Sequence, residues 1–368
     1  MKRLLYISTL PKNSQSGGAN AVNFHTFKAL NNYFDCHYKQ INPPEPKLGK
    51  RLSQIKRKLL KVPAAFNYFS KERLIQIASE FNSIVGNYDV VFFRDFAPWV
   101  MCEPKVPYVA YNDVHFLQFF KNTFSSKEFS QGDIQRICNQ EKVWLSQAKA
   151  LAFESSWGAK QCAKDYQIKN SDLVSVGRGG HIPIPERDTY AGSLNLVIIA
   201  NNFYQKGGDL VFEAFKSLKS YYPKLELHIV GGHPGRAVEK FHGVRYHGYI
   251  YKEVPVDLKK LTDILSQAFL LMHVTREDTN PLVITEAGYY GCPSISVDKF
   301  AIPELVLHKK TGIIIPCPVQ IDDIIESVAN LINSREDYKK MRKATIEYNQ
   351  LNFTWESIGK QLKHLISH

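Results

Sequence analysis

Asp278-Thr279-Asn280-Pro281-Leu282-Val283-Ile284-Thr285-Glu286 follows the apolar run at 269–274 and leads into Ala287-Gly288. Residues 268–275 have the unbroken apolar character of a strand buried on both faces of a parallel sheet, whereas 282–290 are patterned as a helix. Between them Asn280 suits an N-cap, and Pro281 the first helical position, where its missing N–H costs nothing. The amides of Leu282 and Val283 are then open donors at a helix N-terminus, a ready anion site. Asp278 falls in the loop just outside that terminus. Glu286 lies inside the helix, one turn beyond Leu282 on roughly the same face. One acid can thus face a reacting sugar while the other accepts hydrogen bonds from hydroxyls about one turn away. Two solvated acids on a strand–loop–helix would give the same sequence.

Outward from this segment, strands and helices alternate through both halves of the chain. Strands are expected at 2–8, 89–93, 108–111 and 150–154, with a helix at 21–31 and another opened by Ser155-Ser156-Trp157. A Gly- and Pro-rich stretch, 177–192, reads as a linker. The alternation then restarts, with strands at 194–200, 225–230, 268–275, 294–297 and 312–315. Helices are expected between them and at 322–332 and 335–348. Two such series specify an α/β protein of two doubly wound, Rossmann-like parallel-sheet domains facing a central cleft lined by the carboxyl-end loops. The expected domains are 1–182 and 183–350. The remaining 351–368 contain a final amphipathic helix (355–366) able to pack back on the first domain.

A chain of 368 residues is long enough for two full cores, and 44% hydrophobic with 22% charged residues is ordinary for a globular protein. The six cysteines are scattered, with no C-x-x-C and no zinc spacing, as in a reduced cytoplasmic protein. The N-terminal MKRLLYIST reads as a first strand rather than a signal peptide, and no apolar run reaches membrane-span length. The net charge of +12 is concentrated in residues 47–61, KLGKRLSQIKRKLLK, which hold seven basic residues from Lys47 to Lys61 and no acid. Leu48, Leu52, Ile55 and Leu59 recur there at helical spacing. Such a helix can lie on an anionic membrane surface at the inner face, or its leucines can pack inward beneath solvated lysines. Nucleic acid is not expected, because aromatic residues do not interleave with the basic ones.

Other candidates follow strand ends. Gly17-Gly18 lies between the first strand and first helix, where missing Cβ atoms let backbone approach a phosphate or sugar, or simply make a turn. It fits neither the dinucleotide fingerprint nor the P-loop. Lys206, in Lys206-Gly207-Gly208-Asp209, can neutralise a diphosphate as a point charge or remain a solvated loop lysine. Asp113 and His115, past the strand at 108–111, can bind sugar hydroxyls or act as acid or base; His115 fits an ordinary loop histidine equally well. Arg178 is a candidate phosphate or acceptor contact, and Gly231-Gly232-His233 a flexible loop near a base. No nucleophile elbow is present.

In order, these pieces resemble the GT-B glycosyltransferases, and among them the large retaining group called family four (glycosyl transferases group 1). The resemblance spans nearly the whole chain. It is most specific from Leu194 to Ile315, through K-G-G-D, Gly243-Val-Arg-Tyr-His-Gly248, the two acids with seven residues between, Gly291-Cys-Pro293, Phe300-Ala-Ile-Pro-Glu304 and Thr311-Gly312. It implies a retaining, metal-independent transfer from a nucleoside-diphosphate sugar to a hydroxyl of a glycan or lipid-linked acceptor, with no cofactor. By it Glu286 would bind the ribose, Asp278 the donor sugar, and Lys206 the diphosphate, joined by the amides after Asn280. Gly17 and Gly18 would let the first domain close on the substrates, with His115 or Asp113 near the sugar. Three positions depart from the family's pattern. Asp278 stands where glutamate is usual, Asn201 where an arginine is common, and Asn112 where the histidine of a His-Asp pair would fall. On the same fold a non-catalytic sugar-nucleotide or polysaccharide binder, or a sugar-nucleotide epimerase, is the alternative.

Overall fold

The computed structural model describes residues 1–15, 17–169 and 173–367. Its chain divides into two compact units, Met1–Arg178 with Ile358–His368, and Gly179–Ser357.

In chain order the first unit holds β1 (Arg3–Ser8), α1 (Gly18–Leu30), β2 (Asp35–Gln40), α2 (Lys47–Ile55) and α3 (Lys71–Asn82). There follow β3 (Val90–Arg94), β4 (Tyr108–Asn112), α4 (Phe116–Thr123), α5 (Gln131–Leu145), β5 (Ala150–Phe153), α6 (Ser156–Tyr166) and β6 (Leu173–Ser175). The strands form one sheet in the order β2-β1-β3-β4-β5-β6, with every pairing parallel. The apolar runs at the sheet's centre, LLYI in β1 and VVFF in β3, are buried on both faces, as a parallel sheet covered by helices requires. Ser155 caps α6 by accepting a hydrogen bond from the Gly158 amide at 3.0 Å. The end of the chain belongs to this unit: Lys149 donates to the Ile366 carbonyl at 2.9 Å, and Gly359 lies close to Ala29 and Tyr33.

The second unit holds β7 (Asn195–Ala200), α7 (Gly208–Tyr221), β8 (Glu226–Gly231), α8 (Arg236–Glu239), β9 (Val244–Gly248) and α9 (Pro255–Ser266). It continues with β10 (Ala268–His273), α10 (Leu282–Tyr289), β11 (Ser294–Val297), α11 (Ile302–Leu305), β12 (Gly312–Ile315), α12 (Ile321–Asn333), α13 (Arg335–Asn352) and α14 (Trp355–Ser367), whose latter part joins the first unit. The sheet order is β12-β11-β10-β7-β8-β9, again wholly parallel. In each sheet the chain builds outward on one side of its first strand and then returns to the other. The order therefore reverses between β1 and β3, and between β7 and β10, where a doubly wound sheet opens its ligand crevice.

Helix α2 departs from inward packing of its leucines. It faces the unit with its small, polar side: Ser53 Oγ donates to the Ala65 carbonyl at 3.1 Å, and Asn67 Nδ2 to the Gly49 carbonyl at 3.0 Å. A Cβ at Gly49 would lie 2.7 Å from Asn67 Oδ1, so close approach needs glycine there. Ser53 is the buried residue of the helix. The helix continues as a wider turn through Lys56–Leu60, and Arg57 there pairs with Glu128 while its guanidinium lies 4.4 Å from the Phe129 ring centre.

Glu141 on α5 ties three helices of the first unit together. It is buried, and its Oε2 accepts from the Phe116 amide at the start of α4 (2.8 Å) and from the Tyr166 hydroxyl on α6 (2.6 Å). Burial pushes its carboxyl up to about 7 from an ordinary 4.5, against the lowering effect of those two donors. Between these two values the folded protein binds a proton that the unfolded chain has released, so stability is greatest at the acid end and falls as pH rises towards 7. The melting temperature should therefore decline more from pH 5 to pH 8 in the native protein than in Glu141→Gln, by on the order of a few °C. Parallel melting curves for the two proteins would contradict this.

Candidate functional site

The loops at the β7/β10 reversal are joined side by side. The Arg276 amide donates to the Gln205 carbonyl at 3.0 Å, Gln205 Nε2 to Glu277 at 2.8 Å, and Arg276 forms a two-pronged pair with Asp209 at 2.8 Å. Gly207, at φ +77° before α7, is required by geometry, since a Cβ there would lie 2.2 Å from the Val274 carbonyl oxygen. This fastening brings Lys206 and Asp278 together. Lys206 Nζ is 2.6 Å from Asp278 Oδ2 and 2.9 Å from the Glu277 carbonyl.

His273, the buried last residue of β10, places Nε2 3.4 Å from the same Asp278 oxygen. Burial acts to raise the Asp278 carboxyl, but His273 and Lys206 outweigh it and hold it at about 2. Asp278 is thus a fixed anion at any ordinary pH, and the contacts from Lys206 and His273 both fall on its Oδ2.

Helix α10 begins at Leu282. Its N-cap position is Pro281, one residue beyond the Asn280 that the sequence suggested. Proline's extended backbone makes the entry one residue later than expected (φ −72°, ψ 113°). Asn280 is instead buried in the approach to the helix. The Leu282 and Val283 amides lie in the first turn of α10, where an α-helix supplies no acceptor of its own.

Glu286 is fully buried on α10. Its Oε1 accepts from the His181 amide at 3.1 Å, and Lys252 Nζ lies 2.5 Å from both carboxylate oxygens. Gly180 permits that approach, because a Cβ there would sit 3.1 Å from Glu286 Cγ and 2.6 Å from the Tyr289 ring. Lys252 lies in the loop between β9 and α9, 34 residues from its partner, and sequence reasoning missed it. His273 was missed as well, because it ends an otherwise apolar strand.

In the first unit the candidates separate. Gly17 (φ +82°) and Gly18 stand at the β1/β3 reversal with nothing within 4 Å of either Cβ position, so the space above them is open. His115 is a correction. It is fully buried, its Nε2 lies 3.0 Å from Asp165, and burial lowers its pKa to about 4 despite that carboxylate. A neutral ring donating to Asp165 beneath Tyr166 is a core contact, not a group open to a ligand. Asp113 is half-buried, with its carbonyl against Gly158.

Arg178 is likewise committed, 2.9 Å from Glu154, which also holds the buried Arg94 at 2.9 Å. Arg94 donates to the Tyr111 carbonyl and Asn112, knitting the ends of β3, β4 and β5. Next to it Asp95 takes φ +73°, uncommon for a residue other than glycine, at the β1/β3 reversal; no sequence pattern announced it.

Comparison with known proteins agrees with the fold. Residues 187–348 match the family model Glycosyl transferases group 1. Over 306 residues the chain is 26% identical to the GDP-mannose-dependent alpha-(1-6)-phosphatidylinositol monomannoside mannosyltransferase of Mycolicibacterium smegmatis, covering 79% of this chain and 80% of that one. Sucrose-phosphate synthase from Thermosynechococcus elongatus has a TM-score of 0.68 at 15% identity, over 100% of this chain and 98% of that one. WaaG, a glycosyltransferase involved in lipopolysaccharide biosynthesis, scores 0.67 at 13% identity over 99% of each chain. Anabaena HepE in complex with UDP and glucose scores 0.66 at 13% identity over 100% of each. Against TarM (TM-score 0.59, 13% identity) the match takes in 80% of this chain but 58% of that one. Residues 187–348 are thus a glycosyl transferases group 1 region, and the two doubly wound parallel sheets have the GT-B fold of the solved glycosyltransferases they resemble.

Proposed function

We propose that this glycosyltransferase moves a sugar, with retention at the anomeric carbon, from a nucleoside-diphosphate sugar to an acceptor hydroxyl. The observation that carries the reading is the convergence of Lys206, Asp278 and the α10 N-terminus at the β7/β10 reversal, with Glu286 one turn into that helix. A lysine ammonium has three protons, and two of Lys206's are directed to Asp278 and the Glu277 carbonyl. The third, with the amides of Leu282 and Val283, would hold the diphosphate. As the bond to the sugar breaks, negative charge grows on that diphosphate, and fixed donors stabilise it most where they need not reorganise. No metal ion is required in this reading. The leaving phosphate would assist deprotonation of the acceptor, so no dedicated protein base is needed.

Asp278, an anion at every working pH, would accept a sugar hydroxyl at Oδ1 and oppose positive charge at the anomeric carbon. Glu286 would accept the ribose hydroxyls, sharing its oxygens with Lys252. Similar proteins are described as using GDP-mannose or as binding UDP and glucose, which supports a nucleotide-sugar donor and leaves the base open. The described partners of those proteins, a phosphatidylinositol mannoside and lipopolysaccharide biosynthesis, support an acceptor in glycolipid or surface-polysaccharide synthesis. We place the reaction on the cytoplasmic side, at the inner face of the membrane.

Glu286→Ala and Lys206→Ala should each lower transfer at least a hundredfold, about 2.7 kcal/mol of transition-state stabilisation, while the fold survives as read by circular dichroism. Turnover within a few-fold of native in both variants would refute the assignment. Of UDP, GDP and ADP, one should raise the melting temperature of the native protein, since a ligand of the folded state alone stabilises it, and Glu286→Ala should lose most of that rise. Three flat titrations would count against a nucleoside-diphosphate donor.

A further inference from the structure

The basic helix of the first unit turns the wrong way for a core helix. Its glycine and serine face inward, and its apolar stripe faces out. Leu48 is 76% exposed, Leu52 59%, Ile55 45% and Leu59 76%. An outward stripe of this kind has no folding role, and leaving it in water is costly, so it needs a surface to cover it.

The charges around it are sorted in the same sense. Lys50 and Arg57, on the inward side, are paired with Glu45 and Glu128. Lys47, Arg51, Lys56, Lys58 and Lys61 flank the stripe or follow it, are exposed, and make no ion pair among the described residues. The fold has therefore satisfied the inward cations within the unit and left the outward ones open beside the leucines. The 47–61 segment contains no acid to oppose them.

An apolar ridge bordered by unpaired cations is complementary to a surface that is apolar within and anionic at its edge. We propose that the outer face of helix α2 and its Lys56–Leu60 continuation is a docking surface for an anionic lipid bilayer. The four apolar side chains enter the headgroup–acyl boundary, and the unpaired cations meet lipid phosphates. A cavity of about 190 Å³ lies between the helix and Phe66, Phe124 and Phe129. Gly49, Ser53 and Arg57 tie the helix to the rest of the first unit and turn the ridge outward. The inference rests on the proposed function only for the choice of the cytoplasmic leaflet.

The test is co-sedimentation of the full chain with phosphatidylcholine vesicles, with and without phosphatidylglycerol. The native protein is expected to bind the anionic vesicles about tenfold or more better than the neutral ones, and less as salt rises. L48S/L52S/L59S and K47Q/R51Q/K58Q should each reduce that binding about tenfold or more, with unchanged melting temperature, since the altered side chains are exposed. Both variants should keep the native thermal response to nucleotide, which separates failure of docking from failure of the donor site. Equal binding to both vesicles, or native-like binding by either variant, overturns the proposal. So does a dimer of the native protein that the leucine variant dissolves while vesicle binding stays at background, because the ridge would then be covered by a second copy.

Discussion

The pairing of β7 with β10 is the constraint on which the candidate site depends. The two strands lie side by side in the sheet but are separated in sequence by β8, β9 and three helices, so their contact is a long-range one. Their registration, Leu196 against Leu270 and Val197 against Leu271, sets which loop residues emerge level with one another. That registration includes an irregularity between Ala268 and Leu270, and it is held by side chains close-packed on both faces of the sheet. The Arg276–Asp209 and Gln205–Glu277 contacts then fasten the two loops. Through them a lysine meets an aspartate. The site is thus a consequence of packing, and substitutions within these two strands would act on it without touching it.

The legible parts of the sequence were those with a strong local period. The central strands of both sheets are continuous apolar runs, and the strand–loop–helix around Asp278 combined such a run with a proline and a helical pattern. The edges were harder. β2 reads Asp-Cys-His-Tyr-Lys-Gln and is partly exposed, so no apolar run announces it, and it forms by pairing with β1. β6 is three residues long, and β9 carries arginine, tyrosine and histidine at the sheet's far edge.

Site residues were legible to the extent that backbone geometry defines them. Lys206, Asp278 and Glu286 occupy strand-end and helix-start positions that spacing can identify. Lys252 reaches Glu286 by tertiary folding alone, and nothing in the spacing of the two marks it. His115 failed for the same reason in reverse. Its position after a strand end suggested a loop residue, whereas α4 starts immediately behind it and α6 covers it. The orientation of the basic helix also lay beyond periodicity, which reports a stripe but not the side on which the stripe falls; Gly49 and Asn67 decide that.

The two lysine–carboxylate pairs of the second unit have a consequence for selectivity. Asp278 and Glu286 are each already joined to an ammonium group, so a ligand meets two places whose charges are partly compensated in advance. On the proposed reading a fragment that engages one pair, such as inorganic phosphate or a nucleoside, would make only part of the contacts. A molecule carrying a phosphate, a ribose and a sugar at fixed separations can engage both pairs together. On the proposed reading the internal pairing would work as a two-key lock, favouring a ligand that meets both pairs at once over small anions and free sugars that meet one.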